Sequence, residues 1–507
     1  MRALVNGSSV ELHGDMRSKR GSADGESYDL AIVGTGFAGT FFLKRWLAHA
    51  DASARVLVLE RGPAWDHARR IAERANSPIA PEQAARWMGG KAKPWNFTLA
   101  LGGGTNCWWG NTPRMLPDDF QMRTLFGVGE DWPIGYDDLA AYYAEAETAM
   151  NIAGPTGVAY RTTPYPQPAH RLNEAEAALA RAYPRHFHAM PTARARLATE
   201  GRGACCANGV CHLCPVDAKF TVENSLAHVY ADPRVTLVTD AHVGSVDVRA
   251  GRAHGVVWTD KGGRERTARV DGVALAANAI FNPAILLRSG ITHPLTGRRL
   301  HEQIGVRAEV RLRGLSGFDG STSVTGMGTM LYDDRERRRD RAACLLETWN
   351  VGLMRREPGR WREVLPLRLV YEDLPRDENA VELDPGDSLR PIARFERHSD
   401  YAERAVCTAA ADLERVFAPL PVEDIVVHSE PEPTEGHIMG TTVMATSRAG
   451  GVVDPDCVHH DVRNLLVLGS STFVTGAPAN PSLTIAAQSL RAADRWFGRA
   501  PAASVGS

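Results

Sequence analysis

The chain has 507 residues, of which 44% are hydrophobic and 23% are charged, and its net charge is −2. This length predicts about two to four domains, and the near-neutral charge argues against a protein that binds nucleic acid by neutralising phosphates. No apolar run approaches the roughly 18 residues that a membrane-spanning helix needs, so the composition is that of a soluble protein without a transmembrane segment.

The amino-terminal 27 residues are polar and rich in Arg, Ser and Gly, which predicts a disordered leader over 1–27. They contain no apolar stretch of the kind that a secretory signal requires, and no twin-arginine signal is recognisable. This favours the cytoplasm, while export to the periplasm together with a partner subunit stays open. Residues 499–507 are predicted to form a short tail.

A βαβ unit is predicted at the start of the folded region, with strands over 28–33 and 55–60 and a helix over 41–47. Gly34, Gly36 and Gly39 match G-x-G-x-x-G between the first strand and the helix. Such glycines allow a tight turn, close approach to a pyrophosphate and close contact of helix and strand. Glu60 ends the second strand, where a carboxylate accepts hydrogen bonds from a ribose. The pattern predicts a dinucleotide site, and by itself leaves FAD and NAD open.

Further elements follow from hydrophobic periodicity and turn residues. The sequence predicts an ordered loop over 94–114, a helix over 137–150, a connecting region over 151–200, strands near 235–238, 243–248, 255–259 and 273–276, a helix through 285–288, several strands within 305–425, a strand over 464–468 and a helix over 483–497. The charge run 333–341 is expected to be a solvated loop.

Two segments offer groups suited to chemistry on a bound ring. The glycine-rich stretch 102–114 presents backbone N–H groups and small residues that allow contact with a flat cofactor; the alternative is a structural turn whose Trp108 and Trp109 fill the core. His437 is suited to accept an alcohol proton near neutral pH, and Asn480 to orient the same hydroxyl. In isolation, most of the 17 histidines are structural or surface residues.

Four of the eight cysteines, Cys205, Cys206, Cys211 and Cys214, lie within ten residues. Such a density of thiols predicts a metal site, and an iron–sulfur cluster accepts varied spacing when a loop surrounds it. Zinc fits less well, because zinc sites usually separate paired cysteines by two or more residues. A redox disulfide or a set of unligated thiols would also account for the four residues. The remaining cysteines are scattered, so no disulfide framework is predicted.

Taken together, the motifs resemble the glucose–methanol–choline (GMC) oxidoreductase family over about residues 28–498. The matching segments are the glycine fingerprint with Glu60, the loop 102–114, and the stretches 131–139, 282–290, 297–303 and 437–484. The resemblance implies an α/β fold: a Rossmann-like FAD-binding domain with an inserted α+β substrate domain on an antiparallel sheet. It places the FAD domain at 28–300, with a flavin loop at 94–114 and a cysteine loop at 203–216. The substrate domain falls mainly at 301–430, and a carboxyl-terminal FAD and catalytic segment at 431–498.

The resemblance also implies roles for single residues. It makes His437 the catalytic base and Asn480 its partner. The implied cofactor-binding residues are Gly34, Gly36, Gly39, Glu60, Arg61, Gly103, Gly104, Thr105, Asn106, Cys107, Val243, Gly469, Ser470, Pro481 and Thr484. Cys107 occupies a position where related enzymes often carry a histidine bonded to the flavin, so FAD is expected to be held non-covalently.

Within the family the chain is most similar to bacterial FAD sugar dehydrogenases. There the CC-x4-C cysteines bind a [3Fe-4S] cluster, which maps onto Cys205, Cys206 and Cys211; the spacing to Cys214 departs from that pattern. The implied reaction is oxidation of a secondary or hemiacetal alcohol of a sugar, polyol or glycoside by hydride transfer to flavin N5. Electrons would leave through the cluster to an external acceptor. A small escort subunit and a cytochrome c-type acceptor are the implied partners.

Three further functions stay open at this point: a peroxide-forming oxidase of the same fold, an enzyme that modifies a complex natural product, and a non-enzymatic subunit that keeps a flavin fold. The substrate-facing region 305–425 carries no readable motif, so neither the alcohol nor the oxidised carbon is predicted.

Overall fold

The computed structural model describes residues 23–353 and 355–498. The predicted tail and residues 1–22 of the predicted leader lie outside the described residues. The last part of that leader, 23–27, belongs to the fold, contrary to the prediction. Ala23 is buried, Asp24 forms an ion pair with Arg266 at 3.0 Å, and Ser27–Tyr28 is a short strand. Their polar composition gave no sign of this order, because side-chain bonds and strand pairing, rather than apolar packing, hold most of these residues in place.

The strands, in chain order, are β1 (Ser27–Tyr28), β2 (Leu30–Val33), β3 (Val56–Leu59), β4 (Arg86–Met88), β5 (Ala153–Gly154), β6 (Gln167–Pro168), β7 (Phe187–Ala189), β8 (Val235–Val238), β9 (His242–Arg249), β10 (Arg252–Thr259), β11 (Glu265–Val270), β12 (Val273–Leu275), β13 (Ile304–Leu312), β14 (Val324–Leu331), β15 (Cys344–Trp349), β16 (Val364–Tyr371), β17 (Ala380–Glu382), β18 (Ile392–Arg394), β19 (Val422–Val427), β20 (Val458–His459) and β21 (Val462–Val467).

The helices, in chain order, are α1 (Phe37–His49), α2 (His67–Glu73), α3 (Pro81–Ala84), α4 (Met122–Phe126), α5 (Asp137–Met150), α6 (Glu174–Ala182), α7 (Val222–Tyr230), α8 (Asn278–Arg288), α9 (Arg335–Arg338), α10 (Asp400–Val406), α11 (Ala409–Phe417) and α12 (Ser482–Trp496). None of the helices in the described part of the chain is long and apolar enough to span a membrane.

A six-stranded sheet in the order β20-β21-β12-β2-β3-β8 carries the predicted βαβ unit. Its strands run parallel except for β20. The strands β2 and β3 are fully buried apolar runs, which is expected where helices cover both faces of a parallel sheet. A second sheet, β1-β11-β10-β9, flanks this unit. The prediction of an α/β nucleotide-binding fold is therefore confirmed.

A second six-stranded sheet, β19-β13-β16-β15-β14-β7, is antiparallel throughout. Its core packs against α6, α10 and α11. Most of it comes from the predicted substrate region 301–430, but β7 and α6 come from the earlier connecting region. Conversely, β17 and β18 belong to the substrate region 301–430 in sequence, but β18 pairs with β17 and with β4 near the nucleotide-binding unit. The two units therefore exchange segments, which linear domain boundaries do not capture.

The charge run 333–341 is not a solvated loop, contrary to the prediction. It contains α9, in which Arg337 and Arg338 are buried. Arg337 pairs with Asp412 at 2.6 Å, and Arg338 pairs with Asp119 at 2.8 Å and with Glu372 at 2.7 Å. These acids lie far from the run in sequence, so composition alone gave no sign that the arginines have buried partners.

Candidate active site

A cleft of about 440 Å³ lies at the carboxyl ends of β2 and β3 and extends to the antiparallel sheet. This volume is within the range of small-molecule sites, and the end of a parallel sheet is where α/β folds bind nucleotides. Of the residues predicted to bind the cofactor or act in catalysis, the cleft is lined by Gly34, Gly36, Glu60, Arg61, Gly103, Gly104, Cys107, Val243, His437, Gly469, Ser470, Asn480 and Pro481.

The glycine fingerprint forms a tight turn that leaves room only for glycine at its first and last glycine positions. Gly34 has a φ of +103°, and a Cβ there would lie 2.5 Å from the carbonyl oxygen of Ala276. A Cβ on Gly39 would lie 2.0 Å from the carbonyl oxygen of Gly34, so this residue seats α1 on the turn rather than lining the cleft. Helix α1 begins after Gly36 without a side-chain cap. Its first N–H groups are therefore available to a pyrophosphate.

Glu60 is buried at the end of β3, where its carboxylate accepts three hydrogen bonds. The donors are the Thr35 hydroxyl at 2.6 Å, the Thr35 N–H at 3.1 Å and the Gly62 N–H at 3.0 Å. Burial nevertheless raises the pKa of this carboxyl. A carboxylate has about four acceptor positions, so Glu60 keeps capacity for a ribose hydroxyl.

Arg61 follows in the same wall of the cleft, with its guanidinium 5.1 Å from the centre of the Phe281 ring. Its Nη1 is buried and has no hydrogen-bond partner, and burial lowers the pKa of the guanidinium to about 10. Buried donors normally have partners, so this atom indicates that a ligand group completes the site. The glycine turn, the uncapped helix and this donor together fit the predicted FAD.

The wall near Arg61 also contains residues that the sequence reasoning missed, namely His242, Asn278 and Arg288. Burial lowers the pKa of His242 to about 3, so its ring is neutral. The signal that was available is position: His242 begins β9 and directly precedes the predicted Val243, and Asn278 and Arg288 begin and end α8.

The flavin loop turns sharply through a 3₁₀ segment at Gly103–Thr105. Gly103 and Gly104 face the cleft, whereas Thr105 and Asn106 are buried behind them. The Thr105 hydroxyl donates to the Gly102 carbonyl at 2.7 Å. The Asn106 amide donates to the Leu101 carbonyl at 2.9 Å and accepts from Arg70 at 3.1 Å. These two side chains hold the loop from behind.

The residues after this turn face the cleft as well. The Cys107 thiol is half-buried, and burial raises its pKa. The Trp108 ring packs edge-on against the Phe37 ring, with the ring centres 4.7 Å apart. The centre of the Trp109 ring lies 5.0 Å from that of Trp349, which ends β15 of the second six-stranded sheet, called the substrate sheet below. Both tryptophans line the cleft, so neither is only a core residue. Thr484, also predicted to contact the cofactor, is fully buried instead, 2.8 Å from the Tyr143 hydroxyl.

His437 and Asn480 meet at the far end of the cleft, with His437 Nε2 3.5 Å from Asn480 Nδ2. The other ring nitrogen, Nδ1, lies 3.0 Å from Gln303 Oε1. Gln303 Nε2 donates to the carbonyls of Ala477 at 2.8 Å and Ala479 at 3.3 Å. These carbonyls fix the orientation of the Gln303 amide, so its oxygen faces His437. We therefore assign the ring proton to Nδ1, which leaves a lone pair on Nε2.

Burial lowers the pKa of His437 to about 4, so its ring is neutral at physiological pH. Glu302 holds the same segment, accepting from the His437 N–H at 3.1 Å and from the Thr434 hydroxyl at 2.6 Å. Burial opposes ionisation of Glu302, but Lys93, at 2.7 Å, brings the net pKa of this carboxyl below its usual value. The His437 ring is thus neutral and oriented, and the charged carboxylate of Glu302 holds the His437 backbone by accepting from its N–H.

Replacing Gln303 by glutamate tests the tautomer assignment. A carboxylate opposite Nδ1 stabilises the protonated ring and raises the pKa of His437. Flavin reduction by substrate slows as the pH falls and His437 becomes protonated. The midpoint pH of this loss should therefore rise by about 1–3 pH units, a typical effect of a neighbouring charge. Stopped-flow measurement of flavin reduction against pH checks this. Gln83→Glu, at an exposed position outside the cleft, should leave the profile unchanged, and an unshifted profile for Gln303→Glu contradicts the assignment.

The wall beside the flavin loop includes residues of the second six-stranded sheet, and these were not predicted. Glu347 on β15 accepts from the Asn111 amide at 3.0 Å. Arg368 on β16 pairs with Glu435 at 3.0 Å and lies 3.4 Å from Glu432. Burial raises the pKa of Glu435 to about 7. Strands β15 and β16 are neighbours, so this acidic wall depends on pairing that no local motif reports.

The cysteine loop lies behind the flavin loop. Cys211 is buried, Cys205 and Cys214 are half-buried, and Cys206 is exposed. The sulfur of Cys205 lies 3.4 Å from the Thr322 hydroxyl, and that of Cys211 lies 3.1 Å from the Ser323 hydroxyl. The sulfur of Cys214 accepts from the Ala218 N–H at 3.3 Å. In the described residues, no three His, Cys, Asp or Glu side chains are placed to hold one metal ion. A four-thiolate zinc site is therefore not supported. The same finding applies to the predicted iron–sulfur cluster: thiols suit its chemistry, but three of them do not converge in the described residues, and Cys206 is exposed.

Comparison with known proteins gives consistent matches. Models of the amino- and carboxyl-terminal parts of the GMC oxidoreductases match residues 95–305 and 375–489. The chain is 26% identical to the fructose dehydrogenase large subunit of Gluconobacter japonicus, over 92% of this chain and 97% of that protein. It is 28% identical to paromamine 6'-oxidase of Streptomyces fradiae, over 94% and 92%. The fold matches a crystal structure of formate oxidase with a TM-score of 0.66, covering 93% and 98% of the two chains at 15% identity.

Proposed function

Because the chain belongs to the GMC oxidoreductase family, whose members here are FAD enzymes that oxidise CH–OH groups, we propose that it is an FAD-dependent dehydrogenase for an alcohol group of a sugar, polyol or glycoside. The observation that carries this proposal is the pairing of a neutral His437 and Asn480 in the nucleotide-binding cleft, with His437 Nε2 as an acceptor 3.5 Å from the Asn480 amide nitrogen. The similarity to a fructose dehydrogenase subunit supports a sugar-like substrate.

In this proposal, the substrate hydroxyl lies between His437 Nε2 and the Asn480 side chain. His437 takes the hydroxyl proton, and Gln303 holds the ring so that Nε2 keeps facing the substrate. Asn480 orients the oxygen; its Oδ1 is buried and has no hydrogen-bond partner among the residues that the structure describes. When bound along Gly34, Gly36, Glu60 and Gly103, FAD supplies the acceptor for the hydride that leaves the alcohol carbon.

The electron acceptor separates a dehydrogenase from an oxidase. A three-iron cluster on Cys205, Cys206 and Cys211 is supported by the density of thiols and by the half-buried sulfur of Cys205 beside Thr322 and the buried sulfur of Cys211 beside Ser323. It requires Cys206, which is exposed in the structure, to turn inward. Bound, such a cluster supplies single-electron transfer to an outside acceptor.

Anaerobic purification followed by a visible spectrum and iron and sulfide analysis tests both assignments. The dehydrogenase should contain FAD and about three irons per chain, and sugars or polyols should bleach the flavin without forming peroxide. An iron-free yellow protein that makes peroxide supports the oxidase instead. Flavin that no sugar, polyol or glycoside bleaches contradicts the catalytic proposal altogether.

A second candidate substrate is an amino-substituted glycoside, and the acidic wall favours it. Glu347, Glu432 and Glu435 line the cleft near Arg368, while the other lining arginines, Arg61 and Arg288, belong to the wall near Glu60; carboxylates are natural partners of an ammonium group. The similarity to paromamine 6'-oxidase points in the same direction. Anaerobic bleaching of the flavin by an amino sugar and by the corresponding hydroxyl sugar discriminates. The amino sugar should bleach half of the flavin at a lower concentration than the hydroxyl sugar does. Equal concentrations for half-bleaching contradict this candidate.

A further inference from the structure

Four side chains at the catalytic end of the cleft carry buried polar atoms that have no hydrogen-bond partner among the residues that the structure describes. The atoms are Trp349 Nε1, Arg368 Nε, Glu435 Oε1 and Asn480 Oδ1. Buried polar atoms normally have partners, and a buried atom without one is costly to the folded protein. The Asn480 atom belongs to the catalytic pair, whereas the other three lie outside it and point to further contacts with a ligand.

Strand pairing places these side chains beside the catalytic pair. Glu347 and Trp349 are two residues apart on β15, so they face the same side of the substrate sheet. Arg368 of β16 lies directly opposite Glu347. Burial raises the pKa of Glu347, and a hydrogen bond with the Asn480 side chain opposes this effect. The charge of Arg368 acts on His437. The unpaired atoms therefore belong to the same end of the cleft as the proposed base.

Existing contacts fix the three groups and use their other polar atoms. Arg368 Nη1 donates to Glu435 Oε2 at 3.0 Å, and Arg368 Nη2 lies 3.4 Å from Glu432 Oε2. The guanidinium carbon of Arg368 lies 4.8 Å from the centre of the Trp349 ring. The side chains of Arg368 and Glu435 are only 16% and 6% exposed, so bulk water is largely kept away from them. Trp349 Nε1, Arg368 Nε and Glu435 Oε1 are thus the atoms left for a ligand.

These atoms are two donors and one acceptor, which restricts the chemistry of the ligand. An indole N–H and a guanidinium N–H only donate, and an ionised carboxylate only accepts. An ammonium group offers no acceptor to the two N–H donors. A carboxylate on the ligand would lie near Glu347, Glu432 and Glu435, which line the same cleft. A hydroxyl group both donates and accepts, so the hydroxyls of one neutral molecule satisfy all three atoms.

We propose that Trp349, Arg368 and Glu435 form a subsite for the hydroxyl groups of the substrate that are not oxidised. The N–H groups of Trp349 and Arg368 donate to hydroxyl oxygens, and Glu435 Oε1 accepts from a hydroxyl. The substrate therefore carries at least two hydroxyls besides the one that faces His437, as sugars and polyols do and simple alcohols do not. This inference rests on the proposed function and adds the residues that select the substrate.

The first test compares polyols with a monohydric alcohol. D-fructose, D-glucose, sorbitol, myo-inositol and cyclohexanol are mixed anaerobically with the FAD-containing protein, and stopped-flow spectroscopy gives the concentration of each that half-saturates flavin reduction. At least one polyol should half-saturate at a concentration at least about 10-fold below that of cyclohexanol, because cyclohexanol lacks the hydroxyls for the additional hydrogen bonds. Failure of cyclohexanol to reduce the flavin that a polyol reduces also supports the inference.

The other outcomes separate this inference from the proposed function. Cyclohexanol that half-saturates at the same concentration as the best polyol overturns the subsite, while alcohol oxidation by the flavin stands. Flavin that none of these alcohols reduces overturns the subsite together with the proposed function on which it rests.

Two variants test the residues themselves. Trp349→Phe removes the indole N–H and keeps an aromatic ring, and Glu435→Gln replaces the carboxylate by an amide of similar shape. Each should raise the half-saturating concentration of the best polyol about 3- to 10-fold, the usual effect of losing one hydrogen bond. Trp361→Phe is the matched control, because Trp361 is 57% exposed and does not line the cleft; it should leave this concentration unchanged. An unchanged concentration in Trp349→Phe or Glu435→Gln, with FAD content and circular dichroism like those of the wild type, overturns the inference.

Discussion

Replacing His437 by alanine should lower the rate constant for reduction of the bound flavin by substrate at least about 10²-fold, the usual scale for a positioned base. The change removes Nε2, the only ring nitrogen whose lone pair the Gln303 contact leaves free. FAD content should stay close to that of the wild type, because the phosphate and ribose contacts predicted at Gly36 and Glu60 lie elsewhere in the cleft. Anaerobic stopped-flow spectroscopy measures the rate constant.

The pH dependence gives the same assignment a second test. His437 acts as a base only when neutral, and burial lowers its pKa to about 4. The rate constant in the wild type should therefore be level above about pH 5 and fall at lower pH as the ring takes up a proton. His428→Ala, which removes a half-exposed histidine on the substrate sheet, serves as the control. Wild-type flavin reduction in His437→Ala excludes the proposed base.

Replacing Arg338 by methionine should lower the free energy of unfolding by about 3–5 kcal/mol, the usual cost of breaking a buried ion pair from one side. Arg338 is 1% exposed and balances Asp119 and Glu372, which are equally buried. Methionine keeps an unbranched apolar stem but lacks the guanidinium, so it leaves two carboxylates in the core without their cation. The change lies in α9, outside the residues that line the cleft, so it should act on stability before it acts on catalysis.

Denaturation of FAD-saturated protein, followed by flavin fluorescence and by circular dichroism, checks this expectation. The matched control is Arg335→Met in the same short helix. Arg335 is 64% exposed and pairs with Asp118 at 2.7 Å, and exposed ion pairs contribute about 0–1 kcal/mol. Equal losses of stability in the two variants contradict a core role for Arg338.

The parts of the fold that depend on short-range patterns were predictable from the sequence. The first strand, the glycine turn, the helix and Glu60 follow one another within about 33 residues, and each restricts its neighbour directly. The strand near 464–468 and the last helix were recognisable for the same reason, as a buried apolar run and an amphipathic stretch. The family resemblance added the order in which these segments combine.

The parts that depend on distant pairing were not predictable. Arg338 appeared to be surface charge because Asp119 lies more than 200 residues away. Glu347 and Arg368 enter the cleft only because β15 pairs with β16 and both pack beside the flavin loop. Gln303 stood inside a recognised stretch, yet its contact with His437 spans 134 residues. Periodicity and composition carry no information about such contacts.

The strand order of the nucleotide-binding sheet has a consequence for how the protein is made. β12 lies between β2 and β21, and β21 comes from residues 462–467 near the end of the chain. During synthesis, one side of β12 thus stays unpaired until residues 462–467 have left the ribosome, almost 190 residues after β12 itself. An unpaired edge is prone to aggregate, so nascent chains that stop before this strand should depend on chaperones and should not retain the coenzyme.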